Sequence, residues 1–167
     1  DRESLLNELD KIESYTKNGN KLSSEKIQKL INLYEDYDIS ELIDNCLAKN
    51  KNKIIKILNE NNFNQEDSIG IIRIFLFKSK KILNLINQYE NNNNIDLTIS
   101  SAKPPIFWKD KEITKEQIYK WKSNDIKKLI YKLSEIEFLI KKDNKNSLNI
   151  ITDFILDQSS NVVNNLA

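Results

Sequence analysis

The sequence predicts an all-α protein, and three observations carry that expectation. Apolar residues recur three and four apart along almost the whole chain, the spacing that gathers them on one side of a helix. Ser, Thr and Asp stand just ahead of several of these stripes, where a side-chain oxygen accepts one of the first unpaired N–H groups of a helix. There are only two Gly and two Pro, so the main turn-formers of a multi-stranded sheet are nearly absent. The 167 residues, 39% of them hydrophobic, suffice for one ordinary domain or for one domain and part of another.

Leu5, Leu6, Leu9 and Ile12 mark a first helix that ends near Asn18, Gly19 and Asn20, with Gly19 suited to a left-handed closing position. Ser23 reads as the N-cap of the next, with Glu25 in its first turn and Ile27, Leu30 and Ile31 on its apolar side. Asp38 repeats the cap signal for Ile39, Leu42, Ile43 and Leu47, and a short helix follows through Ile54, Ile55, Ile57 and Leu58. Asp67 or Ser68 caps a longer helix through Ile69, Ile72, Phe75, Leu76, Leu83 and Ile86. Ile71, Ile74, Phe77 and Ile82 widen its apolar surface beyond one stripe, as expected of a central helix buried on two sides. The polar residues 91–94, all Asn, end it. Lys, Asn and Ile are all abundant and share A/T-rich codons, so the Asn excess reads first as codon bias.

Pro104 and Pro105 force a sharp break, because each ring disfavours helix at the residue before it, while Pro105 suits the first position of a following helix. Phe107 and Trp108 read as anchors packing that helix on its neighbours, with a base-stacking or partner-docking platform as the alternative. Thr114 opens a helix reaching Ile118 and Trp121. Ser123 caps another, in which Ile126, Leu129, Leu133, Ile136 and Ile140 follow a 3-4-3-4 spacing. That stripe predicts close packing on another helix but is too short for a free-standing coiled coil. A last helix carries Leu148, Ile151, Phe154 and Ile155, and residues 159–167 read as a polar tail. No period of 20–50 residues repeats, which disfavours a solenoid.

The chain has few of the groups that chemistry needs. It has no His and one Cys, Cys46, which excludes a Ser-His-Asp triad, a Cys-His pair, the usual His/Cys zinc sites and an internal disulfide. Cys46 falls on the apolar side of its helix and reads as a small core residue. Glu135 and Glu137 point to different faces, Asp36 and Asp38 are explained by capping at a helix junction, and there is no Gly-rich phosphate loop. No catalytic residue, metal or cofactor is therefore expected. One thiol and no signal-like stretch fit a reducing, cytoplasmic setting. The longest apolar run, residues 71–77, is broken by Arg73 and falls far short of the ~20 residues that span a bilayer, so no membrane partner is expected. The chain starts at Asp1 and lacks Met, which suggests a fragment or a processed product.

Net charge is +1, but it is unevenly placed. Residues 1–48 carry −5, residues 49–102 carry +3, residues 103–145 carry +5 and residues 146–167 carry −2. A basic middle suits a polyanion or an acidic partner, although a solvated lysine face is the plainer explanation. Glu137 and Lys141 are spaced i,i+4 in the favourable order, a pair that acquires meaning at a subunit contact, where charge fixes register.

Four stretches, taken in order, resemble the C-terminal half of bacterial DNA polymerase III delta subunits, the clamp-loader components that open the sliding clamp. Residues 5–15, Leu-Leu-Asn-Glu-Leu-Asp-Lys-Ile-Glu-Ser-Tyr, are similar to the family's Leu-x-x-Glu-Leu-x-Lys-Leu run, which precedes a polar turn and the Leu22-Ser23-x-Glu25-x-Ile27 helix start. Residues 39–58 resemble its Ile-x-x-Leu-(Ile/Val)-Asp-Ala-Leu helix and the short helix after it, with Asn45 in place of Ala. Residues 104–121 resemble its Pro-Pro-x-Phe-Phe-Lys segment and the helix ending in Trp, with Trp108 in place of the second Phe. Residues 129–141 resemble its Leu-x-Glu-x-(Asp/Glu)-x-x-x-Lys helix, matched from Leu133 to Lys141.

The resemblance implies that residues 1–37 end an AAA+-like lid subdomain. Residues 38–167 would form a helical collar, a bundle that assembles with gamma/tau and delta-prime subunits so that the clamp is loaded on primed DNA. The implied role is in DNA replication, as a non-catalytic part of a DNA-directed DNA polymerase (nucleotidyltransferase) holoenzyme, with the clamp-engaging helix outside these residues. Helices at 105–121 and 124–142 would carry the collar contact, with Phe107, Trp108, Trp121, Glu137 and Lys141 as its residues. Lys141, Lys142 and Lys145 would face primer–template DNA through salt-sensitive phosphate contacts. A stand-alone helical nucleic-acid-binding domain using Trp108 and Trp121, or an unrelated helical adaptor, are the alternative readings of the same residues.

Overall fold

The computed structural model describes residues 13, 16–17, 33–142 and 145–160, and these contain helices and no strand. The chain divides into two compact units, Asp1–Asp38 and Ile39–Ala167. In the first, Glu13 and Lys17 form an i,i+4 ion pair at 2.8 Å and the Thr16 hydroxyl donates to the Glu13 carbonyl at 2.8 Å. The predicted Gly19 stop and Ser23 cap lie outside the described residues.

The helices are α1 (Leu33–Leu47), α2 (Lys51–Glu60), α3 (Asp67–Asn92), α4 (Ile95–Ser100), α5 (Lys111–Lys120), α6 (Ser123–Lys142) and α7 (Ser147–Ser160), with a 3-10 turn at Trp108–Asp110 before α5. The 26-residue α3 is the axis of the second unit. It packs most extensively along α6 and also meets α4, α5 and α7, while α2 and α6 both rest on α7. Phe75, Ile72 and Ile86 from α3, Leu42 and Ile43 from α1 and Leu133 from α6 are fully buried. The Phe75 ring meets that of Phe154 on α7 with centroids 6.2 Å apart.

The 3-4-3-4 stripe of α6 behaves as its spacing requires: Ile126, Leu129, Leu133 and Ile140 are buried, and Ile136 packs against the same core. Cys46 is buried as expected.

Several expectations are corrected. Asp38 does not cap a helix, because α1 already runs through it from Leu33; a helix continuing past residues 36–38 removes the junction that would need a cap. Asp67 is the first residue of α3 rather than its N-cap, and its carboxylate accepts the backbone N–H of Asn64 at 2.7 Å. Ser68 is buried one residue further in, hydrogen-bonded to Ser147 at 3.1 Å. Phe77 faces solvent, 68% exposed, so α3 is buried on less of its circumference than its composition suggests. Pro105 does not start a helix; helical structure resumes at Trp108 and α5 at Lys111, which leaves Thr114 inside α5 with its hydroxyl donating to the Asp110 carbonyl at 2.7 Å. Ser123 is the first residue of α6, and its hydroxyl donates to Asn87 at 2.8 Å. Ser159 is buried at the end of α7, so the predicted tail does not begin there; residues 161–167 lie outside the described residues.

Residues 91–94 do specific work that codon bias conceals. Asn93 takes a left-handed conformation (φ 49°) that closes α3, with its N–H bonded to the Tyr89 carbonyl at 2.8 Å. Asn94 is the N-cap of α4, its side chain accepting the Leu97 N–H at 3.0 Å.

The end of α1 is fixed by a second left-handed residue, Lys49 (φ 58°). The Asn50 N–H reaches back to the Asn45 carbonyl at 2.9 Å and the Lys49 N–H to that of Cys46 at 3.0 Å, the paired closure of a Schellman motif. The last carbonyls are taken from elsewhere in the unit. Trp121 donates its indole N–H to the Leu47 carbonyl at 2.7 Å, and Gln117 donates to that of Asp44 at 2.9 Å.

Candidate functional site

Helix α6 presents two apolar sides. One is the buried stripe already described. The other is formed by Tyr131, Phe138 and Leu139, which are 67, 69 and 52% exposed and line a shallow hollow with Ser134 and Glu135. Positions 131, 135, 138 and 139 are separated by four, three and one residues, so they share one face of the helix. A solvent-facing Phe beside a Tyr and a Leu leaves much of the face's apolar surface in water, at roughly 25 cal/mol for every Å² that a partner covers. Lys127, Lys128, Lys132 and Lys142 rim this face, all exposed, with Glu135 among its lining residues and Asp125 paired with Lys128 at 3.7 Å, so cations outnumber carboxylates there. The surface that complements it is an apolar ridge with acidic edges.

Glu137 and Lys141 form the expected ion pair at 2.7 Å, Glu137 half-buried and Lys141 more open. In isolation such a pair contributes only ~0.3–0.5 kcal/mol. The other proposed contact residues are placed differently. Trp121 is turned into the fold by its bond to Leu47, with the Lys49 ammonium 4.6 Å from its ring centre, so the indole holds α1 to the segment after α5. Burial comes first among the influences on Lys49 and pushes its pKa down. Phe107 and Trp108, expected as internal anchors, are 58 and 68% exposed. Ile106 is the residue that inserts there, and its neighbours are left outside. Their rings are 5.8 Å apart, with the Lys109 ammonium 5.4 Å over Trp108.

Of the lysines expected to face DNA, Lys141 is engaged by Glu137, Lys142 is exposed at the end of α6, and Lys145 is exposed beyond it with its carbonyl bonded to the Gln65 side chain. Residues 143 and 144 lie outside the described residues. Among the described residues, no group of three or more His, Cys, Asp or Glu is placed to hold a metal ion, and no helix is long and apolar enough to cross a membrane.

Two features escaped the sequence reading. Tyr131, Phe138 and Leu139 sit off the 126–140 stripe, and that offset was the available signal for a second apolar face. Asp44 is a structural hub with no sequence signature: its carboxylate receives Lys78 from α3, and Gln117 from α5 reaches it at 3.3 Å.

Comparison with models of protein families, with curated proteins and with solved structures finds no match to this chain.

Proposed function

We propose that the chain is an assembly module without catalysis of its own, the C-terminal part of a clamp-loader delta subunit, which joins gamma/tau and delta-prime subunits through α6 during DNA replication. The observation that carries this reading is the exposed apolar face of α6 lying opposite a fully packed one. A helix that already completes its own core gains nothing within the unit from Tyr131, Phe138 and Leu139, whereas a subunit ring requires each collar to offer such a face. The four ordered stretches of family resemblance support the same assignment, and Glu137 with Lys141 stands at the end of α6 where it fixes register.

The test is size-exclusion chromatography with light scattering, on the chain alone and mixed with cognate gamma/tau and delta-prime subunits. The wild-type chain is expected to join them in one peak. Phe138→Glu with Leu139→Glu is expected to elute apart while keeping its helical circular dichroism, and Glu137→Arg with Lys141→Glu to weaken the joint peak. Separate elution of the wild-type chain, in an assay where a full-length delta subunit does join, would overturn the assignment.

A second reading rests on Phe107, Trp108 and Lys109, an exposed aromatic pair beside an ammonium, which is the composition of a stacking platform for single-stranded nucleic acid. Binding of single-stranded DNA by the isolated chain that disappears in Trp108→Ala favours it.

A further inference from the structure

We infer that the cleft between the second half of α3 and the segment after α4 is a binding site for the phosphate and base of a nucleotide. The cleft has a volume of about 270 Å³ and is lined from α3 by Lys81, Asn84, Asn87 and Gln88 and from the other side by residues 101–104, including Lys103. It is remote in sequence from the exposed face of α6 and does not depend on the assembly reading.

Three properties define the ligand. The only ionisable groups in the lining are two cations, Lys81 and Lys103, and neither forms an ion pair among the described residues. Two ammonium groups at one concavity without a carboxylate suit a phosphate, whose oxygens take charge-assisted hydrogen bonds. The nearby acid of α3, Glu90, is outside the lining and accepts the Ser123 N–H at 3.2 Å.

The other walls are carboxamides. Asn84 and Gln88 are exposed and Asn87 uses its oxygen for the Ser123 hydroxyl, so donors and acceptors are both presented. A bare inorganic anion needs no acceptor, whereas the edge of a nucleobase offers both kinds of group and is matched by Asn and Gln. The floor is apolar, made by the buried Leu85 and Ala102, and gives a flat ring or a sugar a surface to cover. Lys81, Asn84, Leu85 and Gln88 are spaced i, i+3, i+4 and i+7, so one stripe of a rigid helix holds the charged end, the floor and the amide end in line.

The experiment is a two-dimensional NMR titration of the chain, read at the side-chain amides of Asn84, Asn87 and Gln88. The probes are a deoxynucleoside 5′-monophosphate, a short single-stranded oligodeoxynucleotide and inorganic phosphate. Saturable shifts at these amides are expected with the mononucleotide, and binding weaker by about tenfold or more in Lys81→Gln with Lys103→Gln, the scale of losing charge-assisted hydrogen bonds. The same charge change made elsewhere, Lys51→Gln with Lys53→Gln on α2, both exposed, is expected to leave the titration unaltered. Tighter binding of the oligonucleotide in wild type and Trp108→Ala alike assigns a strand as the source, and equal binding assigns the free nucleotide. Equal weakening by both lysine pairs, absence of saturable shifts, or inorganic phosphate binding as well as the mononucleotide would each overturn the inference.

Discussion

Cys46 shows how far burial alters a single group in this protein. Its thiol is enclosed against α7, with Sγ 3.7 Å from the Ile155 carbonyl oxygen. Burial pushes its pKa from 9.0 up to about 12, against a smaller opposite pull from Lys49. The folded state therefore keeps a proton that the unfolded chain releases between pH 9 and about 12. The thiol's contribution to stability is whole below pH 9 and is lost above it, at up to about 1.4 kcal/mol per pH unit. Lys49 runs the other way: its pKa is lowered, so the folded state binds fewer protons just below 10.5 and its contribution grows as pH rises there. Urea unfolding of wild type and Cys46→Ala reads mainly the thiol, since Lys49 is present in both and its coupling to Cys46 is the smaller influence on each group. The stability difference between the variants is expected to stay constant up to pH 9 and then to turn against the wild type. A difference that remains flat through pH 10 would contradict the burial account.

At the scale of elements, the boundary between α3 and α4 is set by two adjacent asparagines with opposite jobs. Asn93 tolerates a left-handed backbone that glycine adopts without strain, so Asn93→Gly is expected to leave stability unchanged or raise it slightly. Asn94→Ala removes the only side-chain cap seen on α4 and is expected to cost about 1 kcal/mol in thermal or urea unfolding. Equal effects from the two substitutions would mean that neither backbone position is special. Legibility follows the same division. The α6 stripe was readable because Ile126, Leu129, Leu133, Ile136 and Ile140 repeat over about four turns, and the breadth of α3 announced a central helix. The six-residue α4 was invisible, since four asparagines in a row look like composition until their backbone angles are known. Asp38 misled because Asp favours a cap over a helix interior, and here the helix from Leu33 runs through it despite that preference. The second face of α6 was only half legible: Tyr131, Phe138 and Leu139 have the chemistry of core residues, and exposure is a property of the assembled fold.

Across the whole molecule, the two sides of α6 predict opposite sensitivities. Leu133 is fully enclosed between α6 and the α3 core, and Leu133→Ala is expected to cost about 2–5 kcal/mol. Phe138→Ala, seven-tenths exposed in the wild type, is expected to shift stability by no more than about 0.5 kcal/mol. Denaturant midpoints measured on both variants decide this, and a large loss from Phe138→Ala would mean that its ring belongs to the unit's own core. The closure of α1 by Trp121 has a consequence for how the protein is made. A ribosome releases Leu47 long before Trp121, and Trp121 before the Ile155 that covers Cys46. During synthesis the local closure of α1 can form at once, but the Leu47 carbonyl waits for its indole donor, and the thiol lacks its α7 cover until Ile155 has emerged. The reactivity of that one sulfur is a built-in clock for the moment the core is sealed.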